Sequence, residues 1–118
     1  MPPVKIKLLP HYKGDHWSGM AIGPILINDL QPGSQLASCR MHFRDEYGSL
    51  GHAFKTSPGA GEGTITIDDA TTWEITVPVQ ALDLESGTWD WDFETTDANG
   101  TVLTLYVGTI KVIGDVTS

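Results

Sequence analysis

The sequence predicts an all-β domain, a sandwich of about seven to nine short strands. Three observations lead there. Apolar and polar residues alternate with a period of two in short runs rich in valine, isoleucine, threonine and aromatic residues. Glycine, proline, asparagine and aspartate separate those runs at spacings that suit tight turns. No stretch keeps an apolar period of 3.6 residues, which leaves no sustained helix to expect. At 118 residues the chain fits one domain, residues 1–118, and is long enough to bury a core without disulfides or metal.

Residues 4–9 alternate apolar and basic side chains and read as a first strand with Val4, Ile6 and Leu8 inward, ended by Pro10. Gly14-Asp15-His16 makes a turn, and residues 17–22 read as a strand that Gly23-Pro24 interrupts. The apolar stretch 24–27 runs into Asn28-Asp29-Leu30-Gln31-Pro32-Gly33, a dense turn signal where the chain is expected to round a corner and change sheet. Residues 34–44 alternate again, with Ala37, Cys39, Met41 and Phe43 expected in the core and Leu36, Ser38, Arg40, His42 and Arg44 on the other face. Asp45-Glu46-Tyr47-Gly48 closes a hairpin onto residues 50–55, where Leu50, His52 and Phe54 are set against Gly51, Ala53 and Lys55.

The glycine-rich stretch 57–63 has no large apolar residue and is expected to be a mobile loop. Residues 64–67 and 72–77 are two more alternating runs, split by Asp68-Asp69-Ala70 and closed by Pro78. Leu82 and Leu84 predict a turn or a single helical turn. The longest hairpin follows. Trp89, Trp91 and Phe93 alternate with Asp90, Asp92 and Glu94, which makes one strand face aromatic and the other acidic. Asp97-Ala98-Asn99-Gly100 supplies the turn, and on the return Leu103, Leu105 and Val107 alternate with Thr104, Tyr106 and Gly108. Residues 114–118 read as a polar tail.

Fifteen acidic against seven basic side chains give a net charge of −8, which disfavours nucleic-acid phosphate and anionic membrane as partners. Such a surface suits solubility or a basic protein partner. Cys39 is the single cysteine, so no intrachain disulfide forms, and its expected place is the core. The N-terminus has no long apolar run behind its lysines and reads as neither a signal peptide nor a membrane anchor.

Several positions along the chain form a familiar series: Gly14-Asp15; Asp29-Leu30 and Gly33 before the strand ending at Arg44; Gly63-Thr64-Ile65-Thr66-Ile67; then Leu84, Gly87 and Trp89-Asp90-Trp91-Asp92. Asn99-Gly100-Thr101-Val102, Gly108-Thr109-Ile110-Lys111-Val112 and Asp115-Val116-Thr117 complete it. In these, the chain resembles the immunoglobulin-like domain at the N-terminus of phage baseplate upper proteins and related small phage tail proteins, across almost its whole length. Tryptophan stands at 89 and 91 where that family has a Tyr-x-Tyr-Asp pattern, keeping the packing and dropping the phenolic hydroxyl. In multidomain relatives a linker and fibre part would follow; here the ends favour a stand-alone virion subunit.

The resemblance implies an immunoglobulin-like antiparallel sandwich. It also implies a structural, non-enzymatic role: a tail or baseplate adaptor made in the host cytoplasm, with other virion proteins as partners in a symmetric assembly. Capsid decoration or head-fibre duty, and a carbohydrate-binding module, are the alternatives. No cofactor and no small-molecule ligand are expected.

Candidate chemistry is sparse. Asp90, Asp92 and Glu94 share a face and carboxylates suit Ca²⁺, but such neighbours stand about 7 Å apart, so pairing with Lys111 or Arg40 across the sheet is the expected arrangement. His11, His16, His42 and His52 lack close zinc spacing; His42 and His52 are expected to face each other as a surface pair. No Gly-x-Ser-x-Gly elbow supports a nucleophile. The 59–63 glycines lack the Lys-Ser/Thr of a phosphate loop. Asn99-Gly100-Thr101 fits a glycosylation sequon and reads instead as a turn. Of the tryptophans, Trp89 and Trp91 are expected in the core and Trp17 beside a turn, where an exposed ring could stack on sugar.

Overall fold

A computed structural model describes residues 3–27 and 30–114. Asn28, Asp29, the tail 115–118 and the Asp115-Val116-Thr117 motif therefore lie outside the described residues. In chain order the strands are β1 (Val4–Lys5), β2 (His11–Tyr12), β3 (His16–Trp17), β4 (Met20–Ile22), β5 (Leu36–Arg44) and β6 (Leu50–Lys55). There follow β7 (Gly63–Thr64), β8 (Thr66–Asp69), β9 (Glu74–Val77), β10 (Gln80–Ala81), β11 (Gly87–Asp97) and β12 (Val102–Ile113). Seven of these are three residues or longer, matching the expected number of substantial strands. Among the described residues no helix is long and apolar enough to cross a membrane.

The large sheet has the order β1-β12-β11-β5-β6-β7, with β2 also on β12; the small sheet is β4-β9-β8. In immunoglobulin lettering, β4, β9 and β8 take the places of B, E and D, and β12, β11, β5 and β6 those of G, F, C and C′. The chain is thus an all-β, immunoglobulin-like sandwich. The long strands pair antiparallel, whereas β1, β2 and β7 add parallel edges. The corner expected near residues 28–33 is where the chain leaves the small sheet at Ile22 and enters the large one at Leu36.

One core fills the space between the sheets. Met41 and Phe43 from β5, Phe54 from β6, Trp91 and Phe93 from β11 and Ile110 and Val112 from β12 meet Ile22, Ile75 and Val77 of the small sheet. Cys39 lies there too. Each such large apolar side chain contributes roughly 1.5–3 kcal/mol on burial.

Where the expected alternation fails, the cause is a bulge. Ser38 pairs with Thr96 and Leu36 with Asp97, so Ala37 is the extra residue; Leu36 enters the core and Ala37 faces solvent. Phe43 pairs with His52 but Arg44 with Leu50, so Gly51 is extra and Leu50 leaves the face that His52 and Phe54 share. Phe93 pairs with Tyr106 and Glu94 with Thr104; Leu105 is extra, and beyond it Val107 turns outward while the Tyr106 ring meets Phe93.

Other expectations are corrected more locally. Val4 is exposed, while Ile6 and Leu8 are half-buried against the core. The strand expected over 17–22 is two strands, β3 pairing with β10 and β4 with β9, and between them Gly19 takes a left-handed φ of 79° where a Cβ would collide with the Val77 carbonyl. Trp73 sits in the turn before β9 with a left-handed φ of 58°, its buried indole N–H donating to the Ser34 carbonyl at 3.0 Å. No helical turn forms at Leu82 and Leu84; the chain is extended, and an i, i+2 spacing sends both into the core. The 57–63 loop is tied down: Glu62 pairs with Lys55 at 2.8 Å and accepts the Gly59 amide at 2.7 Å.

Candidate functional site

The outer face of the large sheet collects the charged side chains that alternate with the core residues. Along β11, Asp90, Asp92 and Glu94 stand opposite Arg44, His42 and Arg40 of β5. The Arg40–Glu94 pair is bidentate, Nε to Oε1 at 2.8 Å and Nη2 to Oε2 at 2.9 Å. This is the expected pairing for Glu94. Lys111 instead faces Thr88, away from the acidic row.

His42 is buried between the two guanidiniums, its Nδ1 accepting from Arg40 Nη1 at 2.9 Å and Arg44 Nη2 at 3.1 Å. Burial first, then the charges of Arg40 and Arg44, push its imidazole below the ordinary value, which suits a neutral acceptor. His42 and His52 do not face each other. His42 is paired with Ala53 and points outward, while His52 is paired with Phe43 and turns its ring edge-on to Phe54 in the core. Burial lowers the His52 imidazole as well. His11 and His16 lie on separate short strands. Among the described residues no three His, Cys, Asp or Glu side chains gather to hold a metal ion.

A groove of about 610 Å³ runs along this face between the N-terminal segment and β5. Lys5 and Lys7 form one wall, Arg44 and His42 the other, with Asp90 and Asp92 also lining it. Val107, Gly108 and Thr109 of β12 line it between those longer side chains. Gly108 is required there: a Cβ would collide with the Ile6 carbonyl and stand 2.9 Å from Trp91 Nε1. Among the described residues, Lys13, Arg40 and Lys55 form ion pairs, leaving Lys5, Lys7, Arg44 and Lys111 without a carboxylate partner. Three of those four cations line the groove. Lys5 and Lys7 are the basic residues that alternate with apolar ones in the stretch 4–9, and are two of only seven in an acidic chain.

The tryptophans divide unevenly. Trp17, Trp73 and Trp91 are core residues, and Trp17 stacks on Phe54 at 5.5 Å. Trp89 is half-buried rather than core, its indole N–H donating to the Glu85 carbonyl at 2.8 Å. It lines a second groove with the exposed Tyr47, at the end of the sandwich. Cys39 is buried, and burial pushes its thiol up to about 12, a protonated and unreactive state.

No protein-family model and no curated protein match the chain. Among solved structures it is similar to the crystal structure of CopC from Methylosinus trichosporium OB3b, at 14% identity and a TM-score of 0.42, covering 91% of this chain and 88% of that one. A likeness of that degree assigns no chemistry to the chain.

Proposed function

We propose that the chain is a non-enzymatic structural protein of a bacteriophage virion, an adaptor at the tail or baseplate that holds fibres or receptor-binding modules through protein–protein contacts. The family resemblance along the Trp89-Asp90-Trp91-Asp92 strand and its flanking turns supports the virion setting. The observation that carries the adaptor role is the terminal position of β1 in the large sheet, which leaves a strand edge for a neighbour to pair with. Repetition by the symmetry of a tail would multiply a modest contact of this kind into stable attachment.

The test is immunogold labelling of intact purified particles with an antibody against this chain. Label at the tail tip or fibre attachment zone is the expected result. Label over the head would move the protein to capsid decoration. Absence from the particles, confirmed by mass spectrometry, would overturn the virion reading.

A sugar-binding module is a second reading, favoured by Tyr47 and Trp89 lining one groove. Aromatic faces at such a site stack on pyranose rings, so tryptophan fluorescence should shift on adding host glycans. No change across a broad panel dismisses it.

A further inference from the structure

Among the described residues, the N-terminal segment is bonded on one side only, to β12. Ile6 donates to the Val107 carbonyl at 2.8 Å and Leu8 to the Thr109 carbonyl at 3.1 Å. Amides of an extended chain point alternately to either side, so the N–H and C=O groups of Lys5 and Lys7 are directed away from the sheet. β1 is the last strand on that side, and no strand among the described residues lies beyond it. The side chains of Lys5 and Lys7 are exposed and have no carboxylate partner among the described residues.

From this geometry we infer that the edge at Lys5 and Lys7 takes an extended strand of a partner protein carrying carboxylates at alternate positions. The inference rests on the adaptor reading and gives that contact its chemistry. Two alternating carboxylates would stand about 7 Å apart, the spacing of Lys5 and Lys7 along the strand. Outward amides of Lys5 and Lys7 supply the backbone bonds, and the two ammonium groups supply register and sign. A second copy joined edge to edge is disfavoured, because pairing this edge with itself sets lysine against lysine. The acidic remainder of the molecule would repel the same partner, which confines it to this edge.

The probe is an end-blocked hexapeptide alternating threonine and glutamate, titrated into the full chain while amide exchange is followed residue by residue. Slowed exchange is expected at Lys5 and Lys7, with little change at Ile6 and Leu8, whose amides are already bonded. Replacing both lysines (Lys5→Gln with Lys7→Gln) should weaken binding about fivefold to tenfold at low salt, a difference that narrows at high salt. Lys7→Pro removes an outward donor that the fold itself does not use, and should abolish the peptide's protection of the remaining Lys5 amide without lowering the melting temperature. Should that variant fail to fold, the glutamine pair still decides the matter. Unchanged exchange at Lys5 and Lys7 with millimolar peptide would overturn the inference, as would equal binding of the threonine–lysine counterpart. Protection that grows with protein concentration alone would assign the edge to a second copy and also overturn it. Particles that carry the folded Lys7→Pro protein at the wild-type level would place the docking contact elsewhere while leaving the adaptor reading standing; absence of the wild-type chain from particles would remove that reading.

Discussion

At the scale of single residues, Gly108, Cys39 and His42 show how neighbours dictate side-chain behaviour. Gly108 must lack a side chain because Ile6 crosses it closely, so Gly108→Ala should cost about 3 kcal/mol in urea denaturation through overpacking. Gly33, with nothing near its Cβ position, is the control, and Gly33→Ala should be neutral or slightly stabilising. Cys39 should resist thiol reagents in the native protein and react fully once denaturant opens the core, read by colorimetric thiol titration. His42 makes the stability depend on pH. Its imidazole is held below the unfolded value by burial, Arg40 and Arg44, so it titrates lower in the fold than in the open chain. The stability this contributes is complete above about pH 6.5 and is lost as pH falls toward the folded value. His42→Gln, which keeps an acceptor and does not charge, should flatten the decline in melting temperature between about pH 7 and pH 5.

At the scale of elements, turns and bulges do different work. The β11–β12 turn is held by Asp97, whose carboxylate accepts the Asn99 amide at 2.9 Å and the Thr101 amide at 3.0 Å. Asp45 performs the same task between β5 and β6, accepting from Tyr47 and Ser49. Asp97→Ala should lower the melting temperature and speed amide exchange at Asn99 and Thr101, with the centre of the hairpin unaffected. These aspartates were legible in the sequence as turn residues, because an Asx turn needs only the side chain and the next few amides. Bulges at Ala37, Gly51 and Leu105 were not legible. Each depends on how two strands fit together across their pairing rather than on the run of residues within one, and each reverses which face later residues occupy.

At the scale of the whole molecule, the sheet is closed by its most distant parts, with Val4 beside Tyr106 and His11 beside Val112. Pairing of that kind is non-local, and refolding followed by tryptophan fluorescence should fall in the millisecond-to-second range rather than in microseconds. Local information determined the all-β class, the hairpin turns, the aromatic face of β11 and the core places of Cys39, Met41, Phe43 and Trp91, since period-two alternation and turn chemistry are properties of neighbouring residues. The candidate site was only half legible: the acidic row of Asp90, Asp92 and Glu94 stands out in the sequence, with Arg40 and Lys111 as its expected partners, but not the choice between them. Tertiary structure alone decided that Arg40 rather than Lys111 takes Glu94, that His42 and His52 lie on opposite faces, that Trp89 reaches the surface, and that Lys5 and Lys7 wall a groove with Arg44. The physical reason is register: a side chain's own strand sets its alternation, but its partners are set by strands tens of residues away, and one inserted residue changes them all.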